Sequence, residues 1–433
     1  MIEIGALSRA IPLRALRASA RTILLLLLGL TAAAASAQVE TPDAALVRDA
    51  ATWAAVAGLT PVEAEAQLRA QQATIPVTDA LRAEFRDRLA GVAVEHVPAY
   101  RIVVLLTGDA PVAERHVVAG VLDVTISFRT GAQATQAQLL AALTAHQAAI
   151  RAMLNRPPGL GIDARVGALA VLVAESDAAR FAPDQLEQAL ADLTGVPVVL
   201  RRLDRTDADS AGSGGAAAGG ARVVGVDPSD GRRHACTSGF VVTDGVRSGL
   251  VTAAHCPDTL AYVEPDRTET PLPFAGQWGW SFQDVQLHTS DVALPPLFFA
   301  DTARTLERSP TGSRPRAQTR VGDVVCHRGE RTGYSCAEVA FVVFAPAGDL
   351  CGGPCAPSWV AVDGPACKAG DSGGPVFDGT VALGLVKGAS YRPDGWCSLY
   401  YYMPIDFLPT GWRVATGVDG PRHPGLVPGS TGG

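Results

Sequence analysis

The chain has 433 residues, too many for one ordinary domain at about 150 residues each. Its 48% hydrophobic and 18% charged residues can fill sizeable cores, which excludes a disordered chain. A formal net charge of -7, with no run of like charges, leaves no basic footprint for nucleic acid. All eight cysteines lie between Cys236 and Cys397, and an even count confined to one region suggests a disulfide framework in an oxidising compartment.

Arg9, Arg14, Arg17 and Arg21 precede an uncharged leucine-rich stretch that ends in Ala35-Ser36-Ala37. A positive leader, a short apolar run and a small-residue exit read as a signal peptide over 1–37, and hence as export. An uncleaved anchor is the alternative, but the stretch falls short of the roughly 20 apolar residues that a span needs. No other segment comes near that length, so no stable membrane span is expected after cleavage. Residues 38–204 then alternate between short apolar strands and amphipathic helices, an α+β pattern. Strands are expected at 99–106 and 121–126. A helix is expected at 136–154, where Leu139, Leu140, Leu143, Ile150 and Leu154 share one broad face. A strand, helix, strand sequence follows at 167–173, 183–193 and 197–200.

Residues 205–221, with Gly212, Gly214, Gly215, Gly219 and Gly220, have a composition that cannot pack a core and read as a linker open to proteolytic cutting. From 222 the texture becomes short β-branched runs punctuated by Gly, Pro and Asp, an all-β signature, with one short helix near 405–408. The tail from 417 to 433 is rich in Gly and Pro.

Two motifs in this second half carry chemistry. Gly370-Asp371-Ser372-Gly373-Gly374-Pro375 places a serine on a glycine-rich turn, where backbone N–H groups can converge into an oxyanion hole. A serine hydroxyl is a poor nucleophile at neutral pH until a base takes its proton. Val251-Thr252-Ala253-Ala254-His255-Cys256 supplies an imidazole, whose ordinary pKa near 6.5 suits that task. Either motif alone is weak; together, histidine before serine, they point to nucleophilic catalysis by Ser372 with His255 as general base. The remaining histidines of this half, His234, His288, His327 and His423, have no comparable setting and read as surface or packing residues. The cysteines form no paired Cys-x-x-Cys knuckles and the histidines no ligand spacing, so no metal and no cofactor are expected.

These motifs resemble those of chymotrypsin-family serine endopeptidases, and specifically the bacterial streptogrisin and alpha-lytic protease branch, over about residues 222–412. The run from Cys326 through Gly329, Thr332, Gly333 and Tyr334 to Cys336 is similar to a loop of that branch, and Ala366-Cys367 leads into the serine motif as it does there. The resemblance implies an all-β, chymotrypsin-like double β-barrel protease domain at 222–416. It also implies that the α+β region at 38–204 is a pro region that assists folding and inhibits until removed. It implies the disulfides Cys236–Cys256, Cys326–Cys336 and Cys367–Cys397, with Cys351 and Cys355 as the remaining pair, and Gly370 and Ser372 as the oxyanion donors, with Asp371 anchoring their turn.

The third catalytic member is Asp284 or Asp291. Phe282-Gln283-Asp284-Val285 resembles the branch's aspartate strand and is preferred; Asp291-Val292-Ala293-Leu294 resembles a motif used elsewhere in the family. Such an aspartate accepts the imidazole N–H and fixes its tautomer. Lys387, Gly388 and Ala389 fall on the expected substrate-binding strand. Lys387 occupies a place where the family usually carries a serine that helps hold the catalytic aspartate, so it is expected to pair with Asp284, to reach an acidic substrate group, or simply to face solvent. Gly364-Pro365-Ala366 offers no acid at the pocket base, which disfavours cleavage after Arg or Lys. The reading is therefore a secreted, monomeric serine endopeptidase acting on peptide or protein substrates, with its own pro region as partner. A catalytically silent relative used as a binding module is the alternative, and the intact set of catalytic residue types argues against it.

Overall fold

The computed structural model describes residues 38–182, 184–203, 207–208, 218–264, 266–364, 367–392 and 394–417. The expectations for 1–37, for His423 and for the tail beyond 417 lie outside these residues. So do Pro365 and Ala366 of the expected pocket base and most of the expected linker.

The described chain begins with a short strand, Gln38–Glu40, paired in parallel with Leu306–Arg308, and continues with three helices, Pro42–Ala57, Pro61–Ala73 and Ile75–Glu84. Thr41 and Thr60 cap the first two, each followed by a proline at the first helical position, and Thr60 forms a reciprocal box with Glu63. A four-stranded sheet follows in the order Leu89–Glu95, Arg101–Thr107, Leu122–Ala132, Arg115–Ala119. The expected strands at 99–106 and 121–126 lie in this sheet, the second running to Ala132. Helix Gln136–Ala152 then leads to hairpin Gly159–Asp163 and Ala168–Ala174, and helix Gln185–Thr194 crosses over to the parallel strand Val198–Leu203.

Beyond residue 218 the chain is almost entirely strand. Its first half forms a four-stranded sheet (Arg233–Thr237, Arg222–Val226, Leu260–Val263, Glu269–Leu272) and a five-stranded one (Phe274–Trp278, Val285–Ser290, Ser248–Thr252, Val241–Thr243, Arg413–Val414). Its second half runs Val324–Gly329, Pro375–Asp378, Val381–Tyr391, Cys397–Pro404, Trp359–Asp363 and Gly333–Ala345, and the last strand pairs back to the first, closing a six-stranded barrel. The fold class is thus β throughout this region, a closed six-stranded barrel with two further sheets, and the α+β region lies ahead of it in the chain. The short helix near 405–408 is a single 3-10 turn, Ile405–Phe407.

The two regions share structure. Phe344 and Ala345 of the long barrel strand pair with Gly161 and Leu160, so the hairpin from the α+β region extends the barrel sheet. Leu46, Ala50, Trp53, Ala54, Ala64 and Leu68 from the first two helices belong to the same buried cluster as Phe240, Phe298, Trp359, Phe377 and Met403. Arg308, fully buried, donates to Glu40 at 2.9 Å, Asp49 at 2.8 Å and the carbonyls of Gly379 and Ala45. Gln71 inserts its amide between the main-chain N–H and carbonyl of Val324 and reaches Asp378. At the other end of the expected linker, Ala218 and Ala221 are buried in the core of the first barrel half, although the composition read as unable to pack. Small size there allows close approach to neighbouring backbone: the carbonyl of Gly239 leaves no room for a side chain at Gly219.

Candidate active site

The serine turn is shaped by what surrounds it. Gly373 sits at φ 85°, and a Cβ there would lie 2.0 Å from the Thr252 hydroxyl, so only glycine fits. Its N–H bonds to the carbonyl of Val386, and the N–H of Val386 returns to Gly374, which laces the turn to strand Val381–Tyr391. Asp371 is buried and acts through four donors: the N–H groups of Arg331, Thr332 and Lys368 and the Thr332 hydroxyl. Gly329 lets the loop come this close, since a Cβ would meet the Asp371 carboxylate at 2.0 Å. Thr237 adds a second clasp, its N–H on the Ser372 carbonyl at 2.8 Å and its hydroxyl on the Gly370 carbonyl at 2.7 Å. Ser372 Oγ donates to the carbonyl of Lys387 at 2.9 Å.

His255 follows strand Ser248–Thr252, with the buried, small Ala253 and Ala254 allowing the turn to pack. Its Nδ1 lies 2.8 Å from Asp284 Oδ2, and its backbone N–H donates to Oδ1 at 3.1 Å. A carboxylate can only accept here, so Nδ1 carries the proton and Nε2 is left as the basic nitrogen. Asp284, just ahead of strand Val285–Ser290, is 2% exposed. Burial by itself would raise its carboxyl, but the adjacent His255 and Lys387 charges and hydrogen bonds outweigh that and hold it well below the usual carboxylate range. Asp291 lies beyond the other end of the same strand and is exposed.

Two side chains that the sequence did not single out hold the histidine loop. Gln286, wholly buried, donates to the carbonyls of Ala253 and Cys256, both at 2.9 Å, and Gln277 donates to that of Ala254 at 2.7 Å. Gln286 also meets His288 Nε2 at 2.7 Å. An alternating strand places Gln286 on the same side as Asp284 and His288, which is the only signal that could have marked it. His288 and His327 are buried, the latter with its ring tilted against Tyr400, while His234 is partly exposed beside Asp230.

Lys387, Gly388 and Ala389 lie in strand Val381–Tyr391. The Lys387 ammonium turns inward, 2% exposed, and sits 3.2 Å from Asp284 Oδ2 and 5.3 Å from the centre of the Trp359 ring. Alongside this strand runs the short antiparallel strand Asp207–Ala208, Ala208 opposite Ala389 and Asp207 opposite Ser390. The chain leading into the glycine-rich stretch therefore lies against the strand that carries these three residues.

Disulfides join Cys236 to Cys256, Cys326 to Cys336, Cys351 to Cys355 and Cys367 to Cys397. The first ties the strand ending at Thr237 to the residue after His255, and the last ties the segment before the serine turn to strand Cys397–Pro404. Among the described residues, two groups are close enough to hold an ion: Asp49 with Cys326 and Cys336, and Asp227 with Asp230 and His234. The first includes two sulfurs already in a disulfide, and the second is partly occupied by hydrogen bonds from the N–H groups of Ser229 and Arg232. No helix among the described residues is long and apolar enough to cross a membrane.

No protein-family model matches the chain, and no curated protein does. Among solved structures, Thermobifida fusca protease A is similar at 22% identity over 46% of this chain and 98% of its own, with a TM-score of 0.36. The Cellulomonas bogoriensis chymotrypsin has the same figures: 22%, 46%, 98% and 0.36. An alpha-lytic protease homologue is similar at 22% identity over 43% of this chain and 92% of its own, with a TM-score of 0.34.

Proposed function

We propose that the chain is a serine endopeptidase that is exported as a precursor and cuts peptide bonds through an acyl-enzyme. The observation that carries this reading is the joint placement of His255 on Asp284 and of Ser372 on the same Lys387 whose ammonium reaches Asp284. His255 Nε2 takes the Ser372 proton as Oγ rotates from the Lys387 carbonyl and attacks the substrate carbonyl. Asp284 stabilises the imidazolium that forms. The N–H groups of Gly370 and Ser372 receive the oxyanion, and His255 then returns the proton to the leaving amine. Water, activated by the same nitrogen, releases the acyl group. Strand Val381–Tyr391, through Gly388 and Ala389, offers main-chain groups to an extended substrate, and the antiparallel strand Asp207–Ala208 is what such a substrate would resemble.

The α+β region is accordingly read as an internal folding partner and inhibitor whose exit strand covers the substrate-binding strand until the linker is cut and the region is removed. The four disulfides suit an exported protein. The test is active-site labelling with a fluorophosphonate on the refolded chain and its Ser372→Ala variant, each followed by intact mass. One label per chain in the parent alone, with Ser372-dependent cutting between residues 205 and 221, is the expected result. A folded, linker-cleaved parent that takes no label would overturn the reading in favour of a binding role.

A further inference from the structure

Lys387 introduces a charge into a place that hydrogen-bonding alone could fill. Asp284 divides its carboxylate unevenly: Oδ1 accepts the His255 main-chain N–H at 3.1 Å, whereas Oδ2 lies within reach of both the imidazole Nδ1, at 2.8 Å, and the Lys387 ammonium, at 3.2 Å. Because the lysine side chain is 2% exposed, its ammonium cannot serve a substrate from solvent or act as a surface charge. Its Nζ lies over the Trp359 ring, 5.3 Å from the centroid, a face that favours a cation there. Strand Cys397–Pro404 presents the thioether of Met403, which accepts the Asp284 N–H at 3.2 Å. Among the described residues, the charges that hold the Asp284 carboxyl down are those of His255 and Lys387.

Resting on the peptidase reading, we propose that Lys387 is a positioning residue that anchors Asp284 and competes with the imidazolium for its Oδ2, so that His255 stays unprotonated to lower pH than Asp284 alone would allow. The sign follows from charge. An ammonium beside the carboxylate disfavours a second cation on the same oxygen, so the proton leaves His255 more readily. The site then keeps its base in mildly acidic medium, while the imidazolium formed during turnover receives less stabilisation from Asp284. A lysine that merely filled a buried space would leave the titration of His255 where a neutral side chain leaves it.

The experiment compares the full chain with Lys387→Met, Lys387→Ser and Lys387→Arg. Histidines carry a 13C label at Cε1, and the His255 resonance is identified by its loss in His255→Gln. The expected result is a rise of about one pH unit or more in the His255 midpoint in both neutral variants, with the arginine variant staying within a few tenths of the parent. The acid limb of the fluorophosphonate labelling rate should move the same way. An unmoved His255 midpoint in whichever neutral variant folds overturns the proposal, even if labelling persists. A shifted midpoint in a chain that never takes the label supports the lysine's role and removes the peptidase reading.

Discussion

In the proposed mechanism, the Ser372 hydroxyl depends on His255 and, through it, on Asp284 and its neighbours. Replacing Asp284 by Asn keeps a hydrogen bond to the imidazole but inverts the tautomer. Turnover of a peptide substrate should fall by about 10⁴-fold with the fold intact, measured as kcat alongside circular dichroism. Gln286 acts one step further away, holding the two carbonyls that flank His255. Gln286→Leu should lower kcat by about 10²-fold through misplacement of the ring, with little change in KM. The depressed Asp284 carboxyl also carries a stability signature. A folded-state pKa below the unfolded one means that the contribution is complete above about pH 4 and is lost as the pH falls toward the folded value. Acid unfolding of Asp284→Asn should therefore be less steep below about pH 4 than that of the parent.

At the scale of elements, the first two helices behave as part of the core of the β region. Trp53 is 4% exposed and packs in the cluster that includes Phe298 and Phe377, while Asp49 meets Arg308, the Tyr334 hydroxyl and the Gly379 N–H. Asp49→Ala would strand part of a fully buried guanidinium and should destabilise the chain by about 3–5 kcal/mol. Trp53→Ala should cost a similar amount, about 3–5 kcal/mol, through the cavity it leaves. Both are checked by denaturant unfolding of the Ser372→Ala background, which removes self-digestion. The Thr-Pro pairs at 41–42 and 60–61 announce these helices locally. Their alanine-rich interiors, however, blur the apolar stripe that marks helix 136–152 so clearly.

Over the whole molecule, the α+β region and the barrels are joined by sheet pairing at Phe344 and Ala345, by a shared apolar cluster and by the Arg308 and Gln71 hydrogen bonds. Cutting the linker breaks one covalent connection and none of these. After proteolysis at an engineered site between residues 209 and 217 of Ser372→Ala, the two fragments should co-elute on size exclusion until denaturant is added; separation in native buffer would refute a common core. A chain starting at residue 218 should refold poorly, because Arg308 would then lack Glu40 and Asp49 and the apolar surface over Phe377 would lose its cover.

The sequence by itself determined the division into an α+β half and an all-β half, and it marked His255 and Ser372. Strand alternation, glycine punctuation and the short motifs around catalytic atoms are local properties, written within a few residues. It narrowed the aspartate to two positions, but only the folded chain shows Asp284, just ahead of strand Val285–Ser290, bonded to the imidazole and Asp291 exposed beyond the strand's far end. The direction of Lys387 was equally undecided along the chain, since a lysine on a strand points to solvent unless an anion lies behind it. That anion comes from a segment about a hundred residues earlier in the sequence. The buried place of the first two helices likewise depends on Arg308 and Tyr334, more than two hundred residues downstream. Partners so distant in sequence leave no periodicity, and only tertiary packing brings them together.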